Sequence, residues 1–204
     1  MSITHEHIVT IFKNIKETDT PFYRKVESVL KRIKEGASKD LIKKIRAESN
    51  KSVRNTIKAN LPSICFSGEF LKRSDIGLQK HSGLICLDLD GYPKTKLLLD
   101  DKKKFSKNKY VYSVFISPSG KGLKVLVRIP RETKNHVGYF NALEKHFKSE
   151  FFDKTSKNIS RVCYESYDPL IFINPKWWRE VETKTRLLLR WLLMSMGYQK
   201  QWPQ

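Results

Sequence analysis

Acidic side chains, cysteine and long apolar runs are scarce in this sequence. Aspartate and glutamate number 21 against 40 lysines and arginines, a formal charge of +19. Such an imbalance opposes compaction through self-repulsion and is usually answered by a polyanionic partner. Nucleic acid comes first, because basic residues that neutralise phosphates release condensed counterions. The three cysteines, Cys65, Cys86 and Cys163, stand far apart without CxxC spacing. That argues against a disulfide framework or a cysteine-based zinc site and for a reducing, cytoplasmic setting. No apolar run approaches the roughly 20 residues that span a bilayer, and the first residues hold no signal-peptide core, so no membrane partner is expected.

Hydrophobic residues make up 39% and aromatics 11% of 204 residues, enough for one packed domain with a small extension. Residues 1–60 read as that extension, helical and basic, packed on or part of the same domain. Phe22, Val26, Val29, Leu30 and Ile33 recur at helical spacing, and Leu41, Ile42 and Ile45 continue after a break at Gly36. Between Lys31 and Lys58 lie ten Lys/Arg and three acids, either a solvated helix face or part of a nucleic-acid track. Leu61-Pro62 closes the region, because a residue before proline avoids the α conformation.

Residues 61–180 read as the core. Leu84 to Asp90 is a short apolar run ending at Gly91, a buried strand. A lysine-rich connection from Lys94 to Lys109 leads to a second strand, Tyr110 to Ile116. The turn Ser117-Pro118-Ser119-Gly120-Lys121-Gly122 then leads to a third, Leu123 to Ile129. Asn135 to Phe151 reads as a helix striped by Phe140, Leu143, Phe147 and Phe151, and short strands follow at Arg161–Ser166 and Leu170–Ile173. The fold class expected is α+β, a mixed or antiparallel sheet covered by helices. Residues 181–204 read as a C-terminal helix or tail, docked on the core or offered to a partner. Trp177 and Trp178 read as an aromatic lid or a base-stacking pair.

The residues with chemistry to offer fall in three places. Asp88 and Asp90, two apart on a strand, leave from one face, where they repel unless a cation sits between them. Mg²⁺ or Mn²⁺, hard ions that prefer oxygen ligands, would suit them, although a bare DxD also serves as a simple strand end. The hairpin tip, with Ser117, Ser119, Gly120, Lys121, Gly122 and the following Lys124, has the composition of a phosphate cradle or of an ordinary hairpin. It is not a Walker A loop, lacking that motif's spacing. Asp153, either a turn cap or a third metal ligand, precedes Arg161, whose fork matches phosphate oxygens. His81 reads as a loop or cap residue, roughly 20 Å of extended strand from Asp88. His136 and His146 read as helix-surface residues.

Together, HSGLICLDLDG (His81 to Gly91), FISPSGKGLKVLV (Phe115 to Val127) and FFDKTSKNISRVCYESYDP (Phe151 to Pro169) resemble the three-motif core of the archaeo-eukaryotic primase superfamily. They come closest to the branch filed as the VirE N-terminal domain family, and LPSICFSGEF (Leu61 to Phe70) fits its lead-in. The resemblance implies an RRM-like sheet and metal ligands at Asp88, Asp90 and Asp153. It also implies triphosphate binding by the hairpin tip with Arg161. Lys124 stands where the wider superfamily carries a histidine, which keeps a phosphate contact but loses an imidazole's proton shuttle.

The implied activity is metal-dependent nucleotidyl transfer of primase or polymerase type, in the DNA replication of a phage or mobile element. The implied partners are an NTP or dNTP, single-stranded or primed DNA (or RNA), and a replicative helicase in trans. The alternative is a single-stranded nucleic-acid-binding module that has kept the fold with weak or no turnover; a metal-dependent nuclease is a third reading.

Overall fold

The computed structural model describes residues 7–175, so the expected C-terminal helix or tail at 181–204, and Trp177 and Trp178, lie outside the described residues. Among the described residues, ten strands and five α-helices follow one another in an α+β arrangement whose sheets are antiparallel.

The central sheet comes from the apolar middle of the chain. Its strands are β6 (Leu84–Asp90), β7 (Val111–Ile116), β8 (Gly122–Arg128) and β10 (Phe172–Ile173), in the order β10-β7-β8-β6. Between β6 and β7 runs α4 (Thr95–Ser106), and after β8 comes α5 (His136–Phe147). Alternation along β6 sends Ile85, Leu87 and Leu89 to one face, where they pack with Leu98 and Phe105 of α4 and Tyr139, Phe140 and Leu143 of α5. Leu84 and Cys86 face the other way. Both faces are covered, which is why this strand reads as a nearly continuous apolar run.

The opposite face meets α1 (Val26–Glu35) and a second sheet. That sheet contains β1 (Ile8–Phe12), β2 (Phe22–Lys25), β3 (Ser63–Cys65) and β9 (Cys163–Tyr164), in the order β2-β1-β3-β9. Helices α2 (Lys39–Ala47) and α3 (Lys51–Lys58) follow α1, and β4 (Gly68–Phe70) pairs with β5 (Leu78–His81). On α1 the buried residues are Val26, Val29, Leu30 and Ile33, the i, i+3, i+4, i+7 stripe of a helix docked by one face.

The structure departs from the sequence reading in four places. Residues 8–12 and 22–25 are strands, not helix. Phe22 therefore sits on an edge strand, 52% exposed, rather than on the α1 stripe. The lysine-rich connection is the helix α4, anchored by Leu98, Lys102 and Phe105 at i, i+4 and i+7. α5 ends at Phe147, where Lys148 turns left-handed (φ 47°), and Phe151 instead stacks on Tyr92 with ring centroids 4.0 Å apart. His136 is buried, not on the surface: as the first residue of α5 it meets His81, with ring nitrogens 3.1 Å apart.

A buried clamp ties the N-terminal helices to β9. Glu165, fully buried, accepts from Arg32 Nε at 2.7 Å and Nη2 at 3.1 Å, and from Ser38 Oγ. The three cysteines are free thiols.

Candidate active site

The register of β6 and β8 builds the centre of the site. Asp88 lies opposite Lys124 and Asp90 opposite Gly122. Cross-strand partners leave from one face, so the Asp88 carboxylate and Lys124 ammonium form an ion pair, with side chains only 13% and 11% exposed. Burial is the largest single influence and pulls the Lys124 ammonium down, but the facing Asp88, together with Cys163, Asp90 and Cys86, outweighs it and holds the lysine above its ordinary value.

Asp90 sits beside this pair, and its carboxyl is pushed above the ordinary carboxylate range. Burial contributes most, followed by the charge of Asp88; a side-chain hydrogen bond between the two carboxyls adds to it. Asp88 Oδ1 is buried and has no hydrogen-bond partner. Two carboxyls within reach of one another thus need a proton or a cation between them.

Gly122 makes the close approach possible. A Cβ there would collide with Asp90 Oδ1 and the Leu89 carbonyl. The hairpin tip is a closed turn: Gly120 N–H donates to the Ser117 carbonyl at 3.0 Å, and Ser117 N–H to the Gly122 carbonyl at 2.8 Å. Gly120 supplies the left-handed residue that this turn requires (φ 75°). Ser117 and Ser119 line the cleft, their hydroxyls hydrogen-bonded to one another at 3.1 Å.

The third acid arrives by backbone pairing. Leu89 and Phe152 form an antiparallel bridge, with Asp153 N–H donating to the Asp88 carbonyl at 2.9 Å and Asp90 N–H to the Phe151 carbonyl at 2.8 Å. Asp153 is therefore opposite Asp88 in register, and the two side chains leave from one face. Its Oδ1 accepts from Thr155 N–H at 2.9 Å and Thr155 Oγ1 at 2.6 Å; its Oδ2 accepts from Arg161 at 3.1 Å. Burial raises the Asp153 carboxyl, but the Thr155 hydrogen bonds and the Arg161 charge together hold it below the usual range.

A cleft of about 460 Å³ opens here, lined by Asp88, Asp90, Ser117, Ser119, Lys124 and Arg161. These six expected residues, distant in sequence, share one cavity. Asp153, Gly120, Lys121 and Gly122 do not form its wall: Asp153 touches it through Arg161, Gly122 stands behind Asp90, and Lys121 faces solvent.

Other lining residues went unnoticed in the sequence, namely Lys58, Arg73, Asn158, Ser160 and Tyr164. Lys58 ends the basic run noted above, a faint signal; Asn158, Ser160 and Tyr164 lie within the quoted stretch Phe151 to Pro169 without standing out there, and Arg73 gave none. Four cations, Lys58, Arg73, Lys124 and Arg161, thus meet two carboxylates in one cavity.

The donor set suits a hard divalent cation in part. The strand pair offers oxygen ligands, one of them buried without a partner. Among the described residues, however, no group of three or more His, Cys, Asp or Glu side chains is arranged to hold a metal ion. Asp88 and Asp153 are each turned to a cation of the chain instead.

Comparison with known proteins adds the following. The family described as BT4734-like, N-terminal domain, matches residues 56–172. Among solved structures, the crystal structure of primase RepB' is similar at a TM-score of 0.42 and 13% identity, covering 93% of this chain. The chain spans 57% of that protein's length. No curated protein matches.

Proposed function

This chain belongs to the BT4734-like, N-terminal domain family, and on that footing we propose that its cleft is the active centre of a primase-polymerase-type nucleotidyltransferase. The observation that carries the reading is the carboxyl pair Asp88 and Asp90, on one strand face with Asp153 opposite in register and cations and hydroxyls around them. A protein that merely clings to polyanions gains nothing from carboxylates aimed into a cationic cleft.

The reaction is transfer of a nucleotidyl group from an NTP or dNTP to a 3′-hydroxyl on a template, releasing pyrophosphate. Asp88, Asp90 and Asp153 would hold Mg²⁺ or Mn²⁺, which when bound lowers the pKa of the attacking hydroxyl and offsets triphosphate charge. Ser117 and Ser119 donate to phosphate oxygens. Arg161 presents its fork to the triphosphate, giving up Asp153, and Lys124 turns from Asp88 to a phosphate oxygen as a point charge. Gly120, Lys121 and Gly122 shape the tip that carries those hydroxyls. Catalysis is then mainly positioning and electrostatics.

The chain order strand, helix, strand, strand, helix, then residues 151–153 beside β6, supports an RRM-like arrangement. The quoted motifs support the VirE N-terminal domain branch, and with it replication of a phage or mobile element with a helicase in trans. The +19 charge supports single-stranded or primed DNA, or RNA, as partner. No helix of the described residues is long and apolar enough to cross a membrane.

One observation favours the second reading, a strand-binding module with little turnover: Asp88 and Asp153 are already neutralised by Lys124 and Arg161. A primer-extension assay with Mg²⁺ or Mn²⁺, scored with and without primer beside Asp88→Ala, separates the two. Metal-dependent extension lost in the variant supports the enzyme. Salt-sensitive strand binding without extension supports the binder.

A further inference from the structure

Helix α3 is unusual among the helices of this fold. It buries none of its eight residues and contains no acid. Its cations, Lys51, Arg54 and Lys58, stand at i, i+3 and i+7 and so share one stripe. What holds the helix is its Asn50 cap, which accepts from Ser52 and Val53 N–H, and the packing of Ile57 on Ile42, Ile45 and Leu61.

The stripe has a direction. Its outer end, Lys51, is exposed. Arg54 crosses to the Glu48 carbonyl at 3.0 Å. The inner end, Lys58, lines the cleft with Asp88, Asp90 and Lys124, its ammonium 5.5 Å from the centroid of the Tyr164 ring. Burial, and then the charge of Lys124, push the Lys58 ammonium below its ordinary value, and the charges of Asp90 and Asp88 offset this only in part. Beside the stripe, Arg46 donates to the Tyr167 carbonyl at 2.8 Å and lies against Gly120 at the hairpin tip.

We propose that the α3 stripe of Lys51, Arg54 and Lys58, with Arg46 beside it, is the track on which a single nucleic-acid strand enters the cleft, phosphates against the helix. The proposal deepens the nucleotidyltransferase reading and rests on it for the strand's role as template or primer. Seven helical rises from Lys51 to Lys58 span about 10 Å, from an exposed outer end to the cleft, which suits consecutive phosphates of a strand better than one enclosed triphosphate. An acidic protein would seek apolar contacts as well, and the stripe itself has none.

Binding of labelled single-stranded DNA across a salt series tests the track. The variant Lys51→Ala/Arg54→Ala/Lys58→Ala is compared with Lys96→Ala/Lys103→Ala/Lys107→Ala, which removes equal charge from exposed positions on and just after α4, against the other face of the central sheet. The α3 triple is expected to bind about tenfold or more weakly and to flatten the dependence of log affinity on log salt by about two units, at roughly 0.7 per phosphate contact. The α4 triple should move both far less.

Should the α3 triple unfold by circular dichroism, Lys51→Ala/Lys58→Ala spares the Arg54 hydrogen bond and should still flatten the slope by more than about one unit. Equal weakening by the α3 and α4 variants would overturn the track, as would competition by poly-glutamate as strong as by DNA, or no strand binding by the unaltered chain. Primer extension by the unaltered chain beside equal weakening leaves the enzyme reading standing and the track refuted. Selective loss of binding in the α3 variant without any extension does the reverse.

Discussion

Asp88 and Lys124 face one another across the β6–β8 ladder as a nearly buried ion pair, and Asp88 still has one oxygen without a donor. The pair holds the site together without a metal, and it is also what a metal would have to rearrange. Lys124 therefore supplies the positive charge that the nearly buried Asp88 carboxylate faces.

Replacing Lys124 with methionine should leave Asp88 buried without its counter-charge. Breaking one side of such a pair costs about 3–5 kcal/mol, while the double variant Asp88→Leu/Lys124→Met should recover most of that loss. Urea unfolding of the three proteins checks this. Millimolar Mg²⁺ should raise the melting temperature of Lys124→Met more than that of the unaltered chain.

Asp90 carries the opposite sign. Its folded-state carboxyl is raised by burial and by Asp88, so the native state holds its proton more tightly than the unfolded chain. Stability from this group is present at low pH and is lost as pH rises through the carboxylate range into the raised value. Asp90→Asn should therefore raise the neutral-pH melting temperature in metal-free buffer, with the gain vanishing below about pH 4. The same substitution should abolish metal-dependent extension.

Gly122→Ala should cost about 1–3 kcal/mol, since the added methyl meets the Asp90 carboxylate and the Leu89 backbone. Displacing Asp90 should remove extension while leaving oligonucleotide affinity nearly intact, measured side by side on the purified variant.

The buried histidine pair should set the acid limit. Gly83 N–H donates to His81 Nδ1 at 2.9 Å, so His81 Nε2 carries the proton that it gives to His136 Nδ1 at 3.1 Å. Burial pushes His81 down to about 3 and His136 down to about 4. The unfolded chain then binds more protons, and stability falls as pH drops below about 6.5 toward those values. Melting temperatures from pH 7 to pH 4.5 should show that decline, and His136→Asn should flatten it.

Much of the centre was legible in the sequence because each strand there has its own texture. Leu84–Asp90 is apolar up to its carboxylates, Val111–Ile116 is aromatic and β-branched, and the glycines of the tip mark the hairpin from Val111–Ile116 to Gly122–Arg128. Asp88 and Asp90 stood out as charges where apolar residues should be. The rest was hidden for physical reasons. α4 offers only Leu98, Lys102 and Phe105 to the core, and its lysines disguise that stripe. β1 and β2 are four or five residues long, and β2 is exposed throughout, so neither leaves a period to read. Lys58 and Arg73 reach the cleft through tertiary packing alone, which local spacing cannot report.

In the proposed reaction Asp88, Asp90 and Asp153 share one divalent cation beside a bound triphosphate. Mn²⁺ binding followed by electron paramagnetic resonance, with a non-hydrolysable nucleoside triphosphate present, tests it most directly. Mn²⁺ binding is expected to depend on the nucleotide, and Asp88→Asn and Asp153→Asn should each weaken it about tenfold or more, the scale of losing one ligating carboxylate or its support. Mn²⁺ binding identical in the unaltered chain and in Asp153→Asn would contradict it.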